Sequence, residues 1–527
     1  MIKQGLTLIM ASLISSGVAS QTVPVTQSSN AWYEQGQSTI EDKLSKQRKT
    51  KAKNVILFVG DGMGVSTLTA SRILKGQLEG KPGEEGYLSF EEFPYSALVK
   101  TYNVDAQTPD SAGTMTAMIS GIKTDAGVIG VDEDVVRGNC ASTKGNEVIS
   151  ALELAEIKGM ATGIISTARI THATPAATYA KSADRNWEDI SDMNITENPE
   201  RAECEDIALQ LVNFEDNLEA RYLGTDVDGI DVVMGGGRRH FLPKDAAYNS
   251  TDAASEIEGD RTDGRDLTAE WKEQYPQGTY ITDSTGFNAL NAENAKQVFG
   301  LFNESHMQYE ADRENDIAGE PSLSEMTSKA IDILDNNENG FFLTIESGRI
   351  DHGHHAGNAS NALTETIEFA KAVQAAVDST NPEETLIIVT ADHSHVFTIA
   401  GYPKRGNPIL GKVVGIGSEE PSLAKDGTAY TTVGYANGLG FHDLGLETNA
   451  DAVYANSAIA GRMDISSVDT TTSGYHQETT VPLGSETHAG EDITVHTMGP
   501  SAHLVQGTVE QSVIFHLINN ALDLVKN

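Results

Sequence analysis

Four stretches of the chain carry unbroken apolar runs that stop at a cluster of small and ionisable residues. In "NVILFVGDGMG", Val55 to Val59 lead to Asp61, and in "ATGIISTARITHATPAATY" the run near Thr162 to Ser166 leads to His172 and Thr174. In "GFFLTIESGRIDHGHH", Phe341 to Ile345 lead to Glu346, Asp351 and three histidines; in "TLIIVTADHSH", Leu386 to Thr390 lead to Asp392 and His393. Apolar runs without polar alternation predict strands buried on both faces. Helical periodicity between them, as in "SNALTETIEFAKAVQAAV", completes an α/β pattern: a large, mainly parallel central sheet flanked by helices on both faces. In such sheets the site lies beyond the carboxyl ends of the strands, where all four clusters fall.

A lone Asp after a strand is usually a turn or cap residue, and a lone His beside a carboxylate is usually a satisfied polar group. Four such clusters at equivalent strand ends point instead to a polynuclear metal site. The candidate ligands are His nitrogens and oxygens, with no Cys among them, which favours Zn²⁺ or a similar borderline ion. The oxygen subset Asp61, Thr174 and Glu346 suits Mg²⁺. Asp351 and His355 stand i,i+4, on one face if the segment starts a helix. The HExxH pattern of zinc peptidases is absent.

The stretch "TPDSAGTMTA" places Ser111 at the start of a predicted helix, preceded by Pro109 and Asp110. A serine hydroxyl needs a general base or a metal to become a nucleophile. The flanks do not match G-x-S-x-G, and no His lies within fifty residues on either side, so any activating group comes from a distant part of the chain.

The chain opens "MIKQGLTLIMASLISSGVASQ", where Lys3, the apolar run Leu6 to Val18 and the small residues Ala19 and Ser20 read as a signal peptide spanning residues 1–20. The protein is thus expected to be exported, periplasmic or secreted. The run is too short to span a bilayer and the C-terminal "NNALDLVKN" is not hydrophobic, so no membrane anchor is expected. Lys plus Arg number 37 against 76 Asp plus Glu, a net charge of −39, which repels nucleic acid and anionic lipid. In an exported chain the two cysteines, Cys140 and Cys204, are expected to pair, two separate buried thiols being the alternative.

Taken in order, "NVILFVGDGMG", "TPDSAGTMTA", "THATPAATYA" with "DRNW", "DVVMGGGRR", "ESGRIDHGHH", "TADHSHVFTIAGYPKRG" and "ETHAGEDITVHTMGPSAHLVQG" resemble the alkaline phosphatases, and the details are closer to the animal branch. The resemblance spans about Trp32 to Leu524. It implies one catalytic domain over 21–527 that hydrolyses phosphate monoesters, with two Zn²⁺ and one Mg²⁺ per subunit, working as a homodimer. Asp351, His355 and His488 would bind one zinc; Asp61, Asp392 and His393, joined by Ser111, the second. Magnesium would take Asp61, Thr174 and Glu346. Arg185 would grip phosphate, oriented by Asp110, and Ser111 would carry the phosphoryl group before water on the first zinc releases it.

His172 and His352 follow the animal pattern and would touch phosphate or the magnesium water shell. Asn303 falls where animal enzymes place a glutamate of a calcium site, which removes a ligand charge. Residues 21–50 resemble the N-terminal helix that embraces a partner subunit, 244–285 read as an exposed insertion rich in Asp, Gly and Thr, and about 400–486 as a crown-like insertion. The competing readings are a phosphodiesterase of the same superfamily, or a non-enzymatic exported protein binding zinc or phosphate. A sulfatase would need a C/S-x-P-x-R nucleophile context, which "PDSAGT" lacks.

Overall fold

The computed structural model describes residues 23–44 and 51–525. The signal peptide expected over 1–20 lies outside them. Ten strands build one sheet: β1 (Asn54–Gly60), β2 (Tyr95–Lys100), β3 (Ala161–Arg169), β4 (Val232–Gly236), β5 (Thr279–Ile281), β6 (Val298–Leu301), β7 (Phe341–Ser347), β8 (Thr385–Ala391), β9 (Ile493–Met498) and β10 (Thr508–Glu510). Their order across the sheet is β10-β2-β9-β8-β1-β7-β3-β4-β6-β5. The pairing is parallel throughout except for β9, which runs antiparallel between β8 and β2. The four apolar runs are therefore the four neighbours β8, β1, β7 and β3, and every residue of β1, β7 and β8 is buried.

Register places the strand ends level. Gly60 pairs with Ser347 on one side and Ala391 on the other, and Glu346 pairs with Ser166. Asp61 and Asp392 each follow the last residue of their strand, so both carboxylates emerge at one edge of the layer. Helices α1 (Ala31–Leu44), α2 (Val65–Leu78), α3 (Ser111–Ser120), α4 (Leu323–Leu334), α5 (Arg349–His355), α6 (Ala359–Ser379) and α7 (Val513–Leu522) surround this sheet. α2, α4 and α6 pack as one group, and α1, α3 and α7 as another. α4 shows how the sequence sets such a helix: Ser322 accepts from Glu325 N and the Glu325 carboxylate accepts from Ser322 N, while Met326, Ala330, Ile331 and Leu334 bury one face.

Residues Ser394–His395 and His488–Ala489 form a short antiparallel pair. The chain leaves the domain after His395 and returns at His488, so the intervening stretch is closed at its base by two paired strands. Inside it lie short pairs, such as Phe397–Ile399 with Val433–Tyr435, and a 3-10 helix over Ala450–Ala455. The stretch 244–285 departs from the expected exposed insertion. Leu267 and Trp271 are buried on a helix spanning Leu267–Gln274, Thr279–Ile281 supplies β5, and Arg261 and Asp206 form an ion pair with side chains 0% and 1% exposed. α1 packs on α7 of its own chain, with the Tyr33 ring 4.8 Å from that of His516. Among the described residues, no helix is long and apolar enough to cross a membrane.

Cys140 and Cys204 are joined in a disulfide, 64 residues apart in sequence. The bridge packs with Val128, Val131, Ala183 and Trp187, so it ties down the segment that carries Arg185. Replacing both cysteines by alanine is expected to lower unfolding stability by about 4 kcal/mol, the loop-closure entropy restored to the unfolded chain. Urea unfolding of the double variant under the parent's conditions checks this; an unchanged midpoint and slope would contradict it.

Candidate active site

Ser111 is the first residue of α3, and Asp110 is its N-cap. Asp110 Oδ1 accepts from Gly113 N at 3.1 Å, and Oδ2 accepts from Gly127 N at 2.9 Å and from Arg185 Nη1 at 3.1 Å. One carboxylate thus starts the helix and aims the arginine. Ser111 Oγ lies 3.2 Å from His393 Nε2 and 3.5 Å from both oxygens of Asp61. A histidine remote in sequence therefore does stand beside the serine, and it comes from the end of β8.

The tautomer of His393 shows what the arrangement lacks. Its Nδ1 lies 3.3 Å from the Ser394 carbonyl, which can only accept, so Nε2 presents a lone pair. That lone pair faces Asp61 Oδ1 at 3.3 Å and Asp392 Oδ2 at 3.4 Å. Burial, and then the like charges of neighbouring carboxylates, hold Asp61 far above the usual range, while burial pushes His393 well down. Acceptors converge here, and the Ser111 hydroxyl has one proton to share among the Asp61 oxygens and His393 Nε2. Four ligands of a tetrahedral ion with bonds of about 2.0–2.2 Å stand about 3.3–3.5 Å apart. The pairs Ser111–His393, Ser111–Asp61, His393–Asp61 and His393–Asp392 are close to this spacing, at 3.2 to 3.5 Å.

A second convergence repeats the geometry. His355 Nδ1 donates to the Glu486 carbonyl at 2.6 Å and His488 Nδ1 to the Pro109 carbonyl at 2.8 Å, so both Nε2 atoms present lone pairs. Those atoms are 3.1 Å apart, and they lie 3.3 and 3.4 Å from Asp351 Oδ1. This is the predicted set Asp351, His355 and His488, with Asp351 and His355 on one face of α5.

The oxygen-rich set is also assembled. Thr174 Oγ1 and Glu346 Oε1 are buried without a hydrogen-bond partner, and Asp61, His172 and Glu346 bring candidate ligand atoms within 4.8 Å of one another. Ser166 Oγ donates to the other Glu346 oxygen. Unsatisfied buried oxygens of this kind fit a hard cation. His172 Nε2 accepts from Arg185 Nη2 at 3.1 Å, so a neutral ring carries its proton on Nδ1, which is buried and unpartnered. Burial, followed by Arg185 and Arg169, pushes its pKa down to about 3. His172 is therefore neutral, with its one N–H on Nδ1. His352 Nδ1 accepts from Arg349 Nη1 at 3.1 Å, which leaves the proton on Nε2.

Three participants escaped the sequence reading. His395 Nε2 donates to Asp351 Oδ1 at 2.8 Å and Nδ1 to Glu486 Oε2 at 2.6 Å. Burial alone would lower its pKa, but Glu486 and Asp351 outweigh it and hold it at about 10, so the ring is a buried cation steadying a ligand carboxylate. His306 packs against His352 with ring centroids 4.1 Å apart and the two planes tilted by 57°. The signal for the first two was present: His395 follows His393 by two residues and Glu486 precedes His488 by two, the period of an extended strand. His306 had none. Of the three histidines after β7, His354 is taken up by Thr67 Oγ1 at 3.0 Å and Tyr435 OH at 2.8 Å and faces no ligand set. Asn303 is engaged by Glu320 at 2.7 Å.

The alkaline phosphatase family model matches residues 52–524. The tissue-nonspecific alkaline phosphatase of Gallus gallus is 44% identical over 490 residues, covering 92% of this chain and 88% of that protein. The human tissue-nonspecific isozyme is 43% identical over 493 residues, covering 92% and 87%. An alkaline phosphatase of Gadus morhua is 41% identical over 500 residues, covering 94% and 97%. Among solved structures, the alkaline phosphatase of Thermus thermophilus aligns with TM-score 0.61 at 21% identity, covering 96% of this chain and 97% of that one. That of the Antarctic bacterium TAB5 aligns at 0.58 and 24% identity, covering 90% and 100%; a mutant of it is described with Mg bound in the M3 site. These two share the fold. Blocks in this order, the ligand geometry and relatives above 40% identity lead to one conclusion: the chain belongs to the alkaline phosphatase family and is a phosphoric monoester hydrolase.

Proposed function

We propose that hydrolysis proceeds through a phosphoserine on Ser111 in a site holding two Zn²⁺ and one Mg²⁺, in an exported homodimer. The observation that carries the reading is the position of Ser111 Oγ, which lies 3.2 Å from His393 Nε2 and 3.5 Å from Asp61 on the first residue of α3. Asp351, His355 and His488 would hold one zinc; Asp61, Asp392, His393 and Ser111 the other; Asp61, Thr174 and Glu346 the magnesium. When bound, these ions supply the positive charge that lets a serine oxygen attack at neutral pH and steadies a departing oxygen.

The chain's own groups do the rest. Arg185 presents a planar fork already fixed by Asp110 and His172, and such a fork pairs with two unesterified phosphate oxygens. A monoester has three unesterified oxygens, so one is left once the fork is filled; a diester has only two and leaves none. The N-terminus of α3 adds amide dipoles that favour the transferred dianion. Ser111 Oγ attacks phosphorus, the P–O bond to the alcohol breaks, and the serine ester forms. Water then attacks the same phosphorus, the bond to Ser111 Oγ breaks, and inorganic phosphate leaves. The homodimer and the export both rest on the family resemblance together with the signal-like N-terminus and the helix α1.

Ser111→Ala is expected to lose on the order of 10³-fold or more in kcat while retaining zinc and phosphate binding. Steady-state kinetics with p-nitrophenyl phosphate, alongside metal analysis, decides it; near-parental turnover would sink the scheme. Exhaustive chelation should abolish monoesterase activity, with recovery only when Zn²⁺ and Mg²⁺ are both returned. His395→Asn, which removes the cation behind Asp351, should weaken zinc retention about 10- to 100-fold. Competition against a fluorescent chelator measures this, and unchanged zinc affinity would leave His395 with a packing role alone.

A further inference from the structure

The loop 303–307 delivers His306 into the site by lying across the end of β4. Gly237 N donates to the Ser305 carbonyl at 2.6 Å and Met307 N to the Thr167 carbonyl at 3.0 Å. So close an approach excludes side chains at Gly236 and Gly237, the end of β4 and the residue after it. A Cβ on Gly236 would stand 2.1 Å from Ser305 O, and one on Gly237 2.9 Å from Arg169 Cβ, at a φ of +96°. The glycines of "DVVMGGGRR" therefore serve to seat this loop and Arg169.

Seated in this way, the His306 ring lies 4.1 Å from His352 and 5.4 Å from His172, while the latter two are 5.6 Å apart. Three imidazoles thus form one packed cluster, closed at each end by an arginine. On one side Arg349 Nη1 donates to His352 Nδ1 at 3.1 Å and Nη2 pairs with Asp451 at 2.8 Å. On the other, Arg169 N donates to His306 Nδ1 at 3.3 Å, its guanidinium meets His306 Nε2, and Glu188 takes its Nε and Nη2 at 2.8 and 2.6 Å. Both His306 nitrogens face Arg169, so neither is turned to substrate. What His306 offers the other two is the bulk of its ring, which meets His352 at an interplanar angle of 57° and His172 at 81°.

We propose that His306 is a positioning residue for phosphate and magnesium binding. Its ring, seated by Gly236, Gly237 and Arg169, fixes the orientation of His172 and His352. The inference rests on the reading that those two histidines face phosphate and the water around magnesium.

The test measures KM and kcat with p-nitrophenyl phosphate, inhibition by inorganic phosphate, Mg²⁺ binding by calorimetry and the thermal midpoint. His306→Ala should raise KM and the phosphate inhibition constant about tenfold and weaken Mg²⁺ about tenfold, while kcat changes less than about threefold, the mark of lost ground-state binding. His306→Phe keeps the bulk of a ring and should restore most of both affinities. An alanine variant that binds phosphate and Mg²⁺ as the parent does overturns the proposal. So does a phenylalanine variant of parental thermal midpoint that is as impaired as alanine, because it places the role in the nitrogens. His172→Ala and His352→Ala separate the two levels. If they lose affinity and His306→Ala does not, this proposal alone falls; if they also keep it, the reading of those two histidines falls as well.

Discussion

Repulsion organises this site. Asp61, Asp351, Asp392 and Glu346 are buried at the end of one sheet, and three imidazole lone pairs, on His355, His393 and His488, point in among them. Charges so placed in a medium of low dielectric oppose one another strongly, and the imidazoles cannot turn away because each Nδ1 is committed to a backbone carbonyl. Bound cations convert this opposition into attraction. The parallel strands bring the carboxylates together, their ends at Gly60, Ser347 and Ala391 standing level.

Much of this was legible because the burial of β1, β7 and β8 on both faces demands continuous apolar sequence, and a strand that ends abruptly exposes its ligands at the next positions. Asp61 and Asp392 are read in that way. His395 and Glu486 were not, since their meaning depends on the pairing of Ser394–His395 with His488–Ala489, segments far apart in the chain. Nothing local encodes that register. The edge strand Thr279–Ile281 and its helix were hidden by composition: Leu267 and Trp271 stand i,i+4 as a buried helical face should, but Asp, Gly and Thr around them gave the stretch the look of a surface loop. His306 is placed by the backbone of a neighbouring loop, through contacts that no periodicity describes.

The long excursion between His395 and His488 is tied to the chemistry at more than its base. Asp451, within it, accepts from Tyr309 OH at 2.8 Å and pairs with Arg349 at 2.8 Å, and the Arg349 guanidinium lies 3.7 Å from the Tyr309 ring centroid. Arg349 is the first residue of α5, the helix that presents Asp351, His352 and His355. A displacement of the excursion therefore acts on that helix at two places: through Asp451 on Arg349 and so on His352, and through Glu486 on His355 and His395. Because ligand atoms must stay within a few tenths of an ångström of tetrahedral spacing to hold an ion, a stretch fastened at both points would bear on any ion that Asp351 and His355 hold.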